Sequence, residues 1–291
     1  MRIKVCLTMV LALGVVASGA TQIVNETQFF PVVAHTAGAG DPPTSWRSDL
    51  TVHNVMDDEL TVGVMYLPSG QANAKDGELA ETLTLQARET RAVEDVVATL
   101  FGITKNSKGS LLLECDESIY PSNPDSSVML ATTRTYNVGS EIGTFGTAVP
   151  AVQFADSFLN LGQSASVITG VRNDSDYRSS LGIVNFSFAE VPITVHYRFL
   201  DKDGVAIAVG SKDLLEFDMD QWLFRRLGVP AVVEGPLTVE LWLDPDDIPG
   251  DPCEIEEDDL VGFVAYATKT DEGSGDGVFI YGTPLERIEC D

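Results

Sequence analysis

The sequence predicts an all-β protein made of two tandem β-sandwich modules, each carrying one short helix. Three observations lead there. Short apolar runs of period two recur along the chain, punctuated by turn residues. One stretch is written twice: Trp46 to Tyr66 laid over Tyr177 to Tyr197, a constant shift of 131, gives seven identities in twenty-one positions. No long helical periodicity interrupts either copy. About seven strands in about 120 residues is the count of an immunoglobulin-like sandwich, although the Cys–Trp–Cys core of antibody domains is absent.

The strands of the first copy are expected at Phe29 to Thr36, Leu50 to Asn54, Leu60 to Leu67, Leu79 to Leu85, Ser110 to Cys115, Val128 to Tyr136 and Thr144 to Val149. Leu50, Val52 and Asn54 share one face, as do Val62, Val64 and Tyr66. Asp57-Asp58, Pro68-Ser69-Gly70, Asp76-Gly77 and Pro121-Ser122-Asn123-Pro124 supply turns, and Asp201-Lys202-Asp203-Gly204 does so in the second copy. Thr90 to Phe101 and Asp218 to Leu227 read as one- or two-turn helices plugging an end of each sandwich. Both carry acidic residues early, with Val93, Val96, Val97 and Leu100, or Met219, Leu223 and Leu227, at helical spacing.

The identities are Arg47/Arg178, Ser48/Ser179, Leu50/Leu181, Asn54/Asn185, Glu59/Glu190, Val64/Val195 and Tyr66/Tyr197. Gly102-Ile103 matches Gly228-Val229 at a shift of 126, and Leu130-Ala131 matches Val264-Ala265 at 134. Blocks in one order, with shift changes that fall in loops, indicate duplication. The expected division is a first module over 21–152, a linker over 153–164 and a second module over 165–291, each folding alone.

The N-terminus reads as a secretory signal peptide, residues 1–20. Arg2 and Lys4 precede the apolar run Val5 to Val16, and Ser18 and Ala20 are the small residues of a cleavage site. The run is shorter than the ~20 residues that span a bilayer, and no later stretch is long and apolar enough to do so. Export to the periplasm or beyond follows. The formal net charge is −26, and removing the two basic residues of the signal leaves −28. A field of that sign repels phosphate backbones, so a nucleic-acid partner is excluded.

Export permits disulfides. Cys253 and Cys290 are the candidate pair, against the alternative of a tail with reduced thiols, while Cys115 ends a strand and reads as a small packed residue. Between Asp244 and Asp259 nine carboxylates fall within sixteen residues, with Asp244, Asp246, Asp247 and Asp251 as candidate calcium ligands. Ile248 and Pro249 break the EF-hand pattern there, so a solvated acidic loop is the other reading. No other cofactor is expected. Trp46-Arg47 and Tyr177-Arg178, an aromatic beside an arginine in each copy, suit sugar or carboxylate recognition. Their alternative role is structural, since packing needs recur with a duplicated fold.

Two blocks carry a family resemblance: Phe30-Pro31-Val32-Val33-Ala34-His35-Thr36-Ala37-Gly38 with Trp46 to Asn54, and Thr133-Arg134-Thr135-Tyr136-Asn137 with Gly143-Thr144-Phe145-Gly146. In these the chain resembles a group of secreted bacterial proteins with tandem sandwich modules. The resemblance implies a signal peptide and sandwiches, and brings no activity with it.

Three histidines, His35, His53 and His196, stand without a nucleophile motif, a zinc signature or a phosphate loop. The expected function is therefore a secreted or periplasmic non-catalytic module for interaction, adhesion or structure, whose partner is a protein or carbohydrate at the cell surface. The alternative is a carbohydrate-active or other hydrolytic enzyme on a β scaffold, which would need two facing carboxylates in a cleft. A pilus-chaperone-like role also uses two sandwiches, but its basic anchor residues have no match here.

Overall fold

The computed structural model describes residues 24–25, 27–38, 44–74, 79–115, 128–138, 143–152, 166–187, 189–244 and 261–284. The described residues are nearly all β, 62% strand and 4% helix, in antiparallel sheets. The first half holds β1 (Val24–Asn25), β2 (Thr27–Gly38), β3 (Thr44–Asn54), β4 (Leu60–Pro68), β5 (Ala80–Leu85), β6 (Thr90–Val93), α1 (Val96–Thr99), β7 (Ser107–Cys115), β8 (Met129–Asn137) and β9 (Phe145–Val149). The second half holds β10 (Ser166–Val171), β11 (Tyr177–Asn185), β12 (Ile193–Leu200), β13 (Ala206–Leu214), β14 (Met219–Leu223), a 3₁₀ turn at Phe224–Leu227, β15 (Leu237–Leu243), β16 (Phe263–Asp271), β17 (Gly277–Tyr281) and β18 (Thr283–Pro284).

Strands pair in one order in both halves. In the first, β5-β4-β7-β2 form one layer, and β6-β3-β8-β9 the other. β2 bridges the two layers: it pairs with β7 from Thr27 to His35, across a bulge at Pro31, and then with β3 from His35 to Gly38. In the second half the layers are β13-β12-β15-β10 and β14-β11-β16-β17. The two-sheet sandwich is the class the sequence predicts. In the first half the chain crosses between layers at β2–β3, β3–β4, β5–β6, β6–β7 and β7–β8, while β4–β5 and β8–β9 are hairpins within one layer, whereas an antibody-type domain keeps its first two strands in one sheet.

Several residues shared by the two sequence copies do the same work in each half. Leu50 and Leu181, and Val64 and Val195, are fully buried core residues. Ser48 Oγ accepts the Ala34 N–H at 2.8 Å, tying β3 to β2, and Ser179 Oγ donates to the Arg172 carbonyl at 2.7 Å just beyond β10. Asn54, fully buried, donates to the carbonyls of Asp58 at 2.8 Å and Gln86 at 3.0 Å and accepts the Met56 N–H at 2.8 Å. Asn185, equally buried, donates to the carbonyls of Val191 at 2.7 Å and Leu215 at 2.9 Å and accepts the Ser187 N–H at 3.1 Å. Each asparagine ties a loop to the sandwich by supplying side-chain partners to the loop's backbone groups.

Both expected helices are corrected to single turns. Thr90–Val93 and Met219–Leu223 are strands, paired with β3 and β11. Sheet pairing overrides the helical spacing there, and only Val96–Thr99 and Phe224–Leu227 coil. Val96, Val97, Phe224 and Leu227 plug the sandwich ends, each buried.

Among the described residues the packing holds three apolar cores. One lies between the layers of each half. The third joins the halves, bringing Phe29, Val32, Met65, Leu67 and Leu112 of the first onto Val184, Phe186, Phe217, Met219, Val264 and Tyr266 of the second. Alternation assigns the faces: Val64 and Tyr66 point into the first half's own core, while Met65 and Leu67 point into the shared one. Ile183 and Val184 divide in the same way in the second half. These strands are apolar on both faces, as buried sheets require. A side chain at Gly182 would run into the fully buried Tyr266 ring. Gly182→Val is expected to destabilise by at least ~1–3 kcal/mol through overpacking, read as a lowered thermal midpoint.

Candidate functional site

A cleft of about 560 Å³ opens beside the shared core and is lined from both halves. Its origin is a change of residue type along strands whose outward faces build that core. On β16, Val264 and Tyr266 face the core and Thr268 and Thr270 the cleft. On β14 the change runs from Met219 to Gln221, on β11 from Val184 to Ser180 and Arg178, and on β2 from Phe29 and Val32 to Thr36. Where apolar side chains end, the sheets no longer exclude water, and a hydroxyl-rich cleft remains. Its volume lies within the ~300–1,000 Å³ of ordinary ligand sites.

Direct polar links between the halves hold the cleft. Lys108 Nζ donates to Asp220 Oδ1 at 2.6 Å, and the Tyr281 hydroxyl to the Pro150 carbonyl at 2.5 Å. The Gly70 N–H donates to Asp218 Oδ1 at 2.7 Å, and Asn73 Nδ2 to the Phe217 carbonyl at 3.1 Å. Burial pushes the Asp218 carboxyl above its usual range, although backbone N–H groups pull the other way.

Three of the four residues singled out in the aromatic–arginine pairs line the cleft. Trp46 does so with its indole N–H donating to Thr44 Oγ1 at 3.1 Å, and Gly38 leaves room for the ring, since a side chain there would meet Trp46 and Thr44. Tyr177 lies beneath Arg172, whose guanidinium carbon is 4.6 Å from the ring centre. Arg178 pairs with Glu272 at 3.1 Å. Arg47 is turned elsewhere. It meets Asp95 at 3.1 Å and donates to the Trp46 carbonyl at 2.7 Å, and His35 meets the same Asp95 at 2.8 Å. Asp95 sits at φ 47, in the left-handed region, and its N–H donates to Asp49. Tyr136, bonded to Asp49 at 2.9 Å, is pushed up to about 12, first by burial and then by the carboxylates around it. Arg47 thus fixes the β6–α1 turn behind the cleft.

The other histidines are packed on strands: His53 bonds Thr90 at 2.9 Å and His196 stacks on Trp242. Cys115 is a buried core residue of β7. Asp244, exposed at the end of β15, is the one candidate calcium ligand within the described residues; Asp246, Asp247 and Asp251 lie outside them, as do Cys253, Cys290 and the signal segment.

The sequence reading did not single out Lys108, Arg225 and Arg226, all three lining the cleft. A signal existed for two of them: Arg225-Arg226 is the only place in the sequence where two lysine or arginine residues are adjacent.

Asp174 organises the rim. Its carboxylate accepts the N–H groups of Asp176 at 2.9 Å and Tyr177 at 3.0 Å and meets Arg172 at 2.8 Å. Burial pushes this carboxyl up, but the donors prevail and hold it below its ordinary value. A lowered carboxyl contributes stability that is complete above the unfolded value of ~3.9 and is lost as the pH falls through the folded one. Asp174→Ala is expected to cost ~1–2 kcal/mol at pH 7 in a thermal melt, with the deficit shrinking below pH ~4.

No family model and no curated protein matches the chain. Among solved structures it is similar to an α-L-rhamnosidase of Streptomyces avermitilis, at 9% identity and a TM-score of 0.24, over 88% of this chain and 27% of that one. A predicted secreted protein of Parabacteroides distasonis aligns at 10% identity and a TM-score of 0.20, over 92% and 79%. A β-glucuronidase of Bacteroides uniformis aligns at 8% and 0.17, over 91% and 31%. The chain spans about a quarter of the rhamnosidase's length. At these scores the likenesses carry no functional assignment.

Proposed function

We propose that the protein is an exported, non-catalytic interaction module, grown by duplication of one sandwich, that holds its ligand in the cleft between its halves. The observation that carries this reading is the cleft itself: a preformed, hydroxyl-rich space with an aromatic from each copy, Trp46 and Tyr177, on its walls. Its walls belong to sheets joined by an apolar core, so the site needs little ordering on binding. Export rests on the N-terminal segment, and among the described residues no helix is long and apolar enough to cross a membrane.

The hydrolase alternative requires a carboxylic acid ready to donate a proton. The two described carboxylates of the cleft, Asp174 and Glu272, are each held by an arginine, and Asp174 is kept ionised. That favours binding over proton transfer. The test is a screen of the mature protein against surface glycans and surface proteins, with Trp46→Ala and Tyr177→Ala alongside. The proposal expects at least one binder whose affinity falls tenfold or more in both variants and which is recovered unchanged. Release of product, or binding indifferent to both substitutions, would overturn it.

A further inference from the structure

We infer that the cleft takes a saccharide bearing a carboxylate, with Arg225 and Arg226 receiving the charge; this rests on the cleft being the ligand site. Charge is the first observation. The chain carries −26, yet among the described lining residues there are four cations, Lys108, Arg178, Arg225 and Arg226, against two carboxylates. A locally positive cleft in so acidic a protein marks where an anion is accepted.

Pairing is the second observation. Arg134 donates to the Thr144 carbonyl at 2.8 Å, and Arg47, Arg88, Arg91, Arg172, Arg178 and Arg198 each meet a carboxylate. Among the described residues Arg225 and Arg226 meet none, although both are exposed and surrounded by acidic sequence. Two adjacent guanidinium forks without partners form a receptor for a planar carboxylate, which each fork can take through two parallel hydrogen bonds.

The duplication supplies the third. Residues kept in both copies, such as Asn54/Asn185 and Ser48/Ser179, serve the fold. Aligning Gly102-Ile103 with Gly228-Val229 sets Thr99-Leu100 of the first copy against Arg225-Arg226 of the second. The first half closes its sandwich end with Leu100 packed against its core where the second has Arg226, so closing that end does not call for an arginine. What the pair adds is charge at the cleft.

The remaining walls fit a sugar. Thr36, Thr135, Ser180, Thr268 and Thr270 offer hydroxyls that both donate and accept, and Trp46 offers a ring face. The strongly negative field around the cleft disfavours a dense polyanion such as a phosphate chain, but tolerates carboxylates carried one to a ring.

The experiment is calorimetric titration of the mature full-length protein with trigalacturonate and trimannuronate, and with their methyl esters, which keep the rings and remove the charge. At low salt the inference expects at least one free acid to bind at least tenfold tighter than its ester. The double variant Arg225→Gln/Arg226→Gln should lose that difference while keeping its thermal midpoint, which shows that it folds. Salt should weaken the acid and leave the ester unchanged. Equal binding of acid and ester, or an acid preference that survives the double variant, overturns the inference and leaves the cleft as a neutral-ligand site. No binding of either acid at millimolar concentration also overturns it. The binding-module reading then stands or falls separately, on the Trp46→Ala and Tyr177→Ala screen.

Discussion

Phe29→Ala is expected to cost ~3–5 kcal/mol of stability, a fall of roughly 10 °C in thermal midpoint for a chain this long. Phe29 is fully buried, and its ring centre lies 4.3 Å from that of Phe186 in the other half, which in turn meets Phe217 edge-on at 6.0 Å. The residue belongs to β2, but the void left by truncation opens onto the second half. Both halves should therefore lose stability together, by denaturant titration followed at sites in each. A loss under ~1 kcal/mol would mean that the Phe29–Phe186 contact is not packed as a core. The same face bears on the expectation that residues 21–152 fold alone. Separated from its partner, that segment would expose Phe29, Val32, Met65, Leu67 and Leu112 together. A patch of that kind drives self-association, so the isolated half is expected to be oligomeric or aggregated in gel filtration.

Asn54→Ala and Asn185→Ala are expected to cost ~2–4 kcal/mol each, as large as many core truncations. The penalty comes from what is stranded. Removing Asn54, itself without solvent access, leaves the carbonyls of Asp58 and Gln86 and the N–H of Met56 without their partner. At Asn185 the carbonyls of Val191 and Leu215 and the N–H of Ser187 are stranded in the same way. Equilibrium unfolding in urea reads both. If either variant were within ~0.5 kcal/mol of the parent, the loop would have another way to satisfy its backbone, and the asparagine would need a different explanation.

Much of the fold was legible. The strand at Leu60 to Leu67 is observed at Leu60–Pro68, and Val128 to Tyr136 at Met129–Asn137, because period-two patterning and turn residues are local signals. The short helices were overextended, because Val93, Val96 and Leu100 satisfy a helical spacing while Thr90–Val93 also suits a strand beside β3. The shared core was missed although its mark is present. Leu111-Leu112-Leu113 and Met65-Tyr66-Leu67 are apolar without alternation, which is how strands buried on both faces are written. Of the cleft, the repeat pointed to Trp46, Tyr177 and Arg178, but it pointed equally to Arg47, which serves the turn at Asp95. Which member of such a pair faces a ligand depends on strand parity at a sheet end, and no spacing in the sequence reports it. Lys108 and Arg226 lie more than a hundred residues apart, and only the packing of one half on the other brings them to one cleft.

The account stands on the two halves being one cooperative body with a fixed cleft between them. The three tryptophans divide conveniently, Trp46 in the first half and Trp222 and Trp242 in the second. Urea unfolding followed by fluorescence in a Trp222→Phe/Trp242→Phe protein reports the first half, and in a Trp46→Phe protein the second. With circular dichroism on each variant as an internal reference for its overall unfolding, the account predicts that fluorescence and dichroism midpoints coincide in both proteins. A fluorescence transition displaced from the dichroism curve in either protein, with one half melting while the other stays folded, would contradict it.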